Sequence, residues 1–266
     1  MRNDERASAL LQRRRALVTG AAGGIGAATA RRFCEEGARV VLADRDEPGV
    51  HDAAQRLERA GHLAHALAID VTDEASVGAA VDAAAGLLGG LDLVVANAGV
   101  LSVGALADLP LAEIERTLSV NVLGTFLTLK HALGHLREAG GGVMLCTASQ
   151  AGVHGYAGMS AYCASKFAVV GLVESLAQEL ARDGIRVCAV APGITRTAMY
   201  DELVAARSRE WGLQTASAQQ RLERTVPLGR PASPEEIADA FVYLASPAAA
   251  YISGIALVID GGELSG

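Results

Sequence analysis

Seven short stretches of the chain are apolar without polar alternation: Ala16–Thr19, Arg39–Ala43, Ala64–Ile69, Leu93–Ala96, Gly142–Thr147, Arg186–Val190 and Ala256–Ile259. Runs of this kind suit strands buried on both faces of a parallel sheet, although a short buried helix has the same signature. The gaps decide between the two. They hold longer amphipathic segments, Gly26–Glu36, Ala53–Ala60, Glu74–Leu88, Ala112–Leu136, Ser160–Ala181 and Pro234–Ala245, and repeated strand–helix units imply a doubly wound α/β sheet with helices on both faces. Punctuation agrees with this division. Gly37, Gly61 and Gly184 follow helical patterns as candidate left-handed caps, and Ser233-Pro-Glu-Glu supplies a cap, a first-turn proline and two carboxylates at a helix start. Residues 195–230 depart from the alternation: they are rich in charge, hold the only Trp, and read as a helical lid.

Composition bounds the function. The chain has 266 residues, 51% of them hydrophobic and 20% charged, which is globular composition and enough for one large core. We expect a charged N-terminal extension over 1–14 and a single catalytic domain over 15–266. A net charge of −7 disfavours nucleic acid and anionic membrane surfaces as partners. No window reaches the roughly 18 apolar residues of a membrane span, and the start of the chain has no apolar run followed by a cleavage site. Cys34, Cys146, Cys163 and Cys188 lie far apart in sequence, so neither a disulfide framework nor a zinc site is suggested, and a cytoplasmic location is expected. His131 and His135 have the spacing of two zinc ligands but lack the Glu of H-E-x2-H, so no metal is expected.

The first strand runs into Thr19-Gly20-Ala21-Ala22-Gly23-Gly24-Ile25-Gly26 and then a helix. Glycines at a strand-to-helix turn let the backbone approach a pyrophosphate, whose charge is met by unpaired N–H groups and the helix dipole. Asp44 closes the second strand 24 positions after Gly20, near the offset of about 20 at which an acid accepts hydrogen bonds from the adenosine ribose. A carboxylate there repels a 2′-phosphate, so NAD is expected in preference to NADP. Arg45 beside it works in the opposite sense. The sheet is therefore expected to be of the Rossmann type, with about seven strands.

Ser160-Ala-Tyr162-Cys-Ala-Ser-Lys166 opens a long helix, which puts Tyr162 and Lys166 on one face. An ammonium about 4 Å from a phenol, at an effective dielectric near 20, would lower its pKa by roughly 3 units and bring a proton-transferring tyrosine near neutrality.

Together with the glycine turn, these residues resemble the short-chain dehydrogenase/reductase family. T-G-x3-G-x-G, N-A-G, a Ser before Y-x3-K, and P-G-x3-T occur in family order between about Arg15 and Gly262. The resemblance implies that Tyr162 is the acid/base, that Lys166 lowers its pKa and binds ribose, that Ser149 polarises the substrate oxygen, and that Asn121 holds a water in the proton relay. It also implies cofactor contacts from Gly20, Gly24, Ile25 and Gly26, from Asp70 and Val71 at adenine, from Asn97, Ala98 and Gly99 at the adenosine ribose, and from Pro192, Gly193, Thr195 and Thr197 at the nicotinamide amide. Ala96 departs from the family, standing where many members have a second Asn. The family's usual assembly is a homotetramer, and Leu118, Val122, Phe126, Phe167, Val170 and Leu176 supply apolar positions for such contacts.

His154 and Met159, in the loop between Ser149 and Tyr162, together with Met199, Tyr200 and Trp211 of the lid, are candidates for the substrate wall. The leading expectation is NAD-dependent interconversion of a secondary alcohol, such as a diol or polyol, and its ketone. Two alternatives are a 3-oxoacyl-thioester reductase and a non-catalytic NAD-sensing binding protein. The first usually prefers NADPH, and an intact Asn-Ser-Tyr-Lys set argues against the second.

Overall fold

The computed structural model describes residues 9–265. Its seven strands are β1 (Arg15–Thr19), β2 (Arg39–Asp44), β3 (Ala64–Ala68), β4 (Leu93–Ala96), β5 (Gly142–Thr147), β6 (Ile185–Pro192) and β7 (Ala256–Ile259). All pair in parallel in the order β3-β2-β1-β4-β5-β6-β7. The order reverses between β1 and β4. At such a switch point the loops leaving two neighbouring strands diverge to opposite faces and open a crevice.

Side-chain alternation along each strand feeds two separate cores. Leu17, Val41, Val94 and Met144 face helices α3 (Glu74–Leu88), α5 (Gly124–Glu138) and α6 (Ser160–Glu179). Ala16, Val18, Leu42 and Val95 face α1 (Gly24–Glu35), α2 (Glu47–Arg59) and α9 (Pro234–Ala245), where Phe33 and Phe241 are wholly buried. Strands apolar at every position are thus the direct consequence of a sheet covered on both sides. The cap expected at Ser233 forms, as a capping box with Glu236, and Arg230 holds the same carboxylate, drawing its pKa down to about 2.

Three differences from the sequence reading have physical causes. Helix α2 begins six residues before the expected Ala53, because Asp46 caps it and Pro48 sits in its first turn. The expected helix 112–136 is interrupted: α4 (Leu111–Leu118) passes into a π-helical turn over Ser119–Leu123 before α5 begins. Residues 9–14 of the expected extension pack onto the domain, with Leu11 buried in the second core; residues 1–8 of it lie outside the described residues. The segment 195–230 forms two helices, α7 (Ala198–Trp211) and α8 (Thr215–Glu223), tied back by a bridge between Thr195 and Ala232. No described helix is long and apolar enough to cross a membrane. His131 and His135 turn to Glu74 and Asp82 on the surface between α3 and α5.

Candidate active site

A cavity of about 1170 Å³ lies along the carboxyl ends of β1 to β6, above the switch point. Its floor at one end is the glycine turn. Gly20 has φ +65° and its Cα lies so close to Ala98 that an added Cβ would come within 2.7 Å of the Ala98 Cα. Gly26 is tighter still: a Cβ there would meet the Gly20 carbonyl oxygen at 2.1 Å. Gly26 therefore does not line the cavity; it lets α1 start directly against the turn. The N–H groups of the first turn of α1 are then presented to the cavity beside Gly24 and Ile25.

Asp44, at the end of β2, lines the same cavity. Its two oxygens accept from the Ala22 N–H at 3.0 Å and the Asp46 N–H at 3.0 Å, which orients the carboxylate beside the turn. Asp70 and Val71 follow β3. The Thr72 hydroxyl and N–H donate to Asp70 Oδ1 and hold its carboxyl below the usual range. Asn97 lashes the turn to the centre of the sheet. Its Nδ2 donates to the Thr19 and Gly20 carbonyls at 3.0 Å each, and its Oδ1 accepts from the Thr147 hydroxyl at 2.9 Å. Pro192, Gly193, Thr195 and Thr197 form the opposite rim, with the Thr197 methyl 3.2 Å from where a Gly24 Cβ would stand. The Thr197 hydroxyl caps α7, accepting from the Tyr200 N–H. A flat-backed glycine turn, an oriented carboxylate and a second rim across a narrow gap fit an extended dinucleotide.

At the other end, Ser149, Tyr162 and Lys166 come together, each more than nine-tenths buried yet lining the cavity. Helix α6 carries Tyr162 and Lys166 one turn apart. Lys166 Nζ donates to the Thr147 carbonyl at 2.8 Å and lies 5.8 Å from the centre of the Tyr162 ring. This geometry corrects one expectation. Burial pushes the Tyr162 phenol up, and the nearby Ser149 hydroxyl offsets part of that; burial likewise pulls Lys166 down to about 8. Desolvation is the largest cause for both groups, and the ammonium donates to the Thr147 carbonyl.

Asn121 sits in the π-helical turn, wholly buried and behind the cavity wall. Its Oδ1 accepts from the Val100 N–H at 2.8 Å, and its Nδ2 donates to the Val100 carbonyl and to Ser165 Oγ, both at 3.0 Å. The side chain thus clamps the segment after β4 to α6, and Gly99 lies between Asn121 Oδ1 and Lys166 Nζ.

Of the candidate wall residues, Met159, Met199, Tyr200 and Trp211 line the cavity, and His154 does not. The His154 side chain is exposed and meets Tyr156 edge-on, with ring centroids 5.2 Å apart. Tyr156 is the aromatic that enters the wall, together with Gln150, Arg207 and Glu263, none of which the sequence reading placed there. Arg207 is buried against Glu210 and the Ala157 carbonyl. An isolated loop residue has no periodicity to mark which of two neighbouring rings turns inward. Glu263 arrives from a turn that no motif marks.

Comparison with known proteins is consistent along the chain. A family model described as enoyl-(acyl carrier protein) reductase matches residues 20–263. Cis-4-hydroxycyclohexanecarboxylate dehydrogenase of Sinomonas cyclohexanicum is 44% identical over 248 residues, covering 93% of this chain and 95% of that protein. D-threitol dehydrogenase of Mycolicibacterium smegmatis is 41% identical over 249 residues, covering 93% and 91%. Among solved structures, an actinorhodin polyketide ketoreductase variant crystallised with NADPH aligns with a TM-score of 0.91 at 37% identity, over 93% of this chain and 96% of that one.

Proposed function

We propose that this chain, which belongs to the short-chain dehydrogenase/reductase family, interconverts a secondary alcohol, such as a diol or polyol, and its ketone, with NAD preferred over NADP. The observation that carries the reading is the convergence of buried Ser149, Tyr162 and Lys166 in the wall of one cavity whose far end holds the Asp44 carboxylate. The dehydrogenase relatives named for hydroxycyclohexanecarboxylate and threitol support the alcohol assignment.

When bound, the nicotinamide cofactor supplies the two-electron exchange with the carbinol carbon. The protein's part is binding and proton handling. The glycine turn from Gly20 to Ile25 and the α1 N-terminus would take the pyrophosphate, and Asp44 the adenosine ribose hydroxyls. Asp70 and Val71 would border adenine, Asn97 to Gly99 the ribose, and Pro192 to Thr197 the nicotinamide amide. Ser149 donates a hydrogen bond to the substrate oxygen. Tyr162 accepts the alcohol proton in oxidation and returns it in reduction. Lys166 binds ribose and biases the Tyr162 proton, and Asn121 holds the relay behind it, one Oδ1 lone pair being free of the Val100 bond. The protein is proposed to act in the cytoplasm.

Tyr162→Phe removes the transferable proton and little cofactor surface. It is expected to lower turnover at least 100-fold on secondary alcohols with NAD, with NADH affinity within about threefold of wild type. Retention of more than a few per cent of kcat would remove Tyr162 from the acid/base role.

Asp44 sets the cofactor. Repulsion between its carboxylate and a 2′-phosphate, plus the lost ribose hydrogen bonds and less the contribution of Arg45, gives an NAD preference of about 2–4 kcal/mol, or roughly 30- to 1,000-fold in kcat/KM. Asp44→Ala should erase most of it in steady-state assays with both cofactors; equal use of NADP by the wild type would place Asp44 elsewhere than at the ribose.

The exposed Leu118, Leu123, Phe126 and Phe167 form apolar surface on the consecutive helices α4 to α6, and we assign it to a homotetramer. Light scattering at micromolar concentration should give four times the chain mass; a monomer would contradict this.

A further inference from the structure

The lid differs in charge from the rest of the chain. Residues 195–230 hold six arginines against four carboxylates, whereas the whole chain carries a net charge of −7. Two of those arginines, Arg207 on α7 and Arg221 on α8, lie against the only Trp: their guanidinium carbons are 5.7 Å and 4.3 Å from the centre of the Trp211 ring. All three residues line the cavity shared with Ser149 and Tyr162. Arg207 is already satisfied, by Glu210 and by the Ala157 carbonyl. Arg221 makes no ion pair and no side-chain hydrogen bond among the described residues; the lid's Glu223 pairs with Arg196 instead. Glu263, a further carboxylate in the wall, is engaged by Gln150 Nε2 and Thr225 Oγ1 at 3.0 Å each.

Stacking on an indole occupies the face of a guanidinium and leaves its N–H donors, which lie in the plane, free to bond at the edge. Five such donors in a fixed fork match the paired oxygens of a carboxylate or a phosphate. The ring also holds the side chain in place before a ligand arrives, which lowers the ordering cost of binding. Met199, Leu203 and Leu222, which line the same cavity, are apolar, and a charge pair formed beside such surface is less screened than one in open water. Ser149 and Tyr162 are carried by the sheet and α6, and Arg221 by the lid. One molecule that touches both therefore spans the cavity from its core wall to its lid.

We propose that Arg221, seated on Trp211, anchors an anionic group of the substrate, a carboxylate or a phosphate remote from the carbinol carbon, so that the protein selects charged alcohols and ketones over neutral ones of the same skeleton. The proposal rests on the redox reading of Ser149 and Tyr162, which place the reacting oxygen in the same cavity.

The test measures reduction by NADH of 4-oxopentanoate and 5-oxohexanoate against their methyl esters, with acetoacetyl-coenzyme A as the phosphate-bearing arm, by the full-length protein. The expected result is a preference for acid over ester of about 10- to 100-fold in kcat/KM, expressed mainly in KM, that shrinks at about 1 M sodium chloride, where the screening length is about 3 Å. Arg221→Gln should cut that preference about tenfold, and Arg221→Lys, which keeps the charge, by less. Arg209→Gln, on exposed lid surface outside the cavity lining, should keep it. Circular dichroism melts identify a variant that fails to fold, and the salt dependence of the wild type then carries the comparison. Equal losses in the Arg209 and Arg221 variants would assign the effect to the general charge of the lid and overturn the subsite. So would an acid to ester ratio near one together with turnover of acetoacetyl-coenzyme A indifferent to Arg221→Gln. A ratio near one with a loss of about tenfold on acetoacetyl-coenzyme A in that variant keeps the site and makes the anion a phosphate. Quenching of Trp211 fluorescence by the same compounds reads binding without turnover. Acids that quench at lower concentration than their esters yet are not reduced would overturn the redox reading and support the subsite; equal quenching without turnover would overturn both.

Discussion

The last residue of β5, Thr147, joins the two halves of the site. Its hydroxyl donates to Asn97, which in turn holds the carbonyls of Thr19 and Gly20 at the entrance to the glycine turn. Its carbonyl accepts from Lys166, one helical turn from Tyr162 on α6. One strand end therefore sets the distance between the turn that would hold a pyrophosphate and the side chains that would move a proton. Both bonds lie above the buried central strands of the parallel sheet, which cannot slide in register without exposing an apolar face. The loop around Tyr156 and helices α7 and α8 complete the cavity from outside the sheet.

Burial of Lys166 is the energetic counterpart of this geometry. An ammonium in a nine-tenths buried position is held by one carbonyl at 2.8 Å, and burial draws it down to about 8. Tyr162 is pushed in the opposite sense by the same desolvation. Both shifts disfavour the charged forms, so the pocket by itself holds the phenol protonated.

Much of this was legible in the sequence. The seven apolar runs became the seven strands, with ends shifted by at most two residues, because a sheet buried on both faces leaves no polar position to blur them. Gly20 and Gly26 were legible because their need for bare Cα atoms is absolute: the backbone at Gly20 has positive φ, and the Gly20 carbonyl occupies the place of a Cβ at Gly26. The π-helical turn around Asn121 was not legible, since one extra residue per turn changes neither composition nor the amphipathic face over so short a span. The early start of α2 has its own sequence signal, in Asp46 as cap and Pro48 in the first turn. The inward turn of Tyr156 rather than His154, and the arrival of Glu263 beside Gln150, depend on tertiary packing of loops and left none.

The pH dependence of alcohol oxidation tests the central claim, that Tyr162 and Lys166 act as one proton-transferring unit held on Thr147. Oxidation requires the unit to accept a proton, so kcat/KM at saturating NAD should rise with pH through one ionisation. Removing the ammonium with Lys166→Met disfavours the phenolate and should move that ionisation upward by at least one pH unit. An ionisation that stays in place in the Lys166→Met protein, with activity retained, would contradict the account.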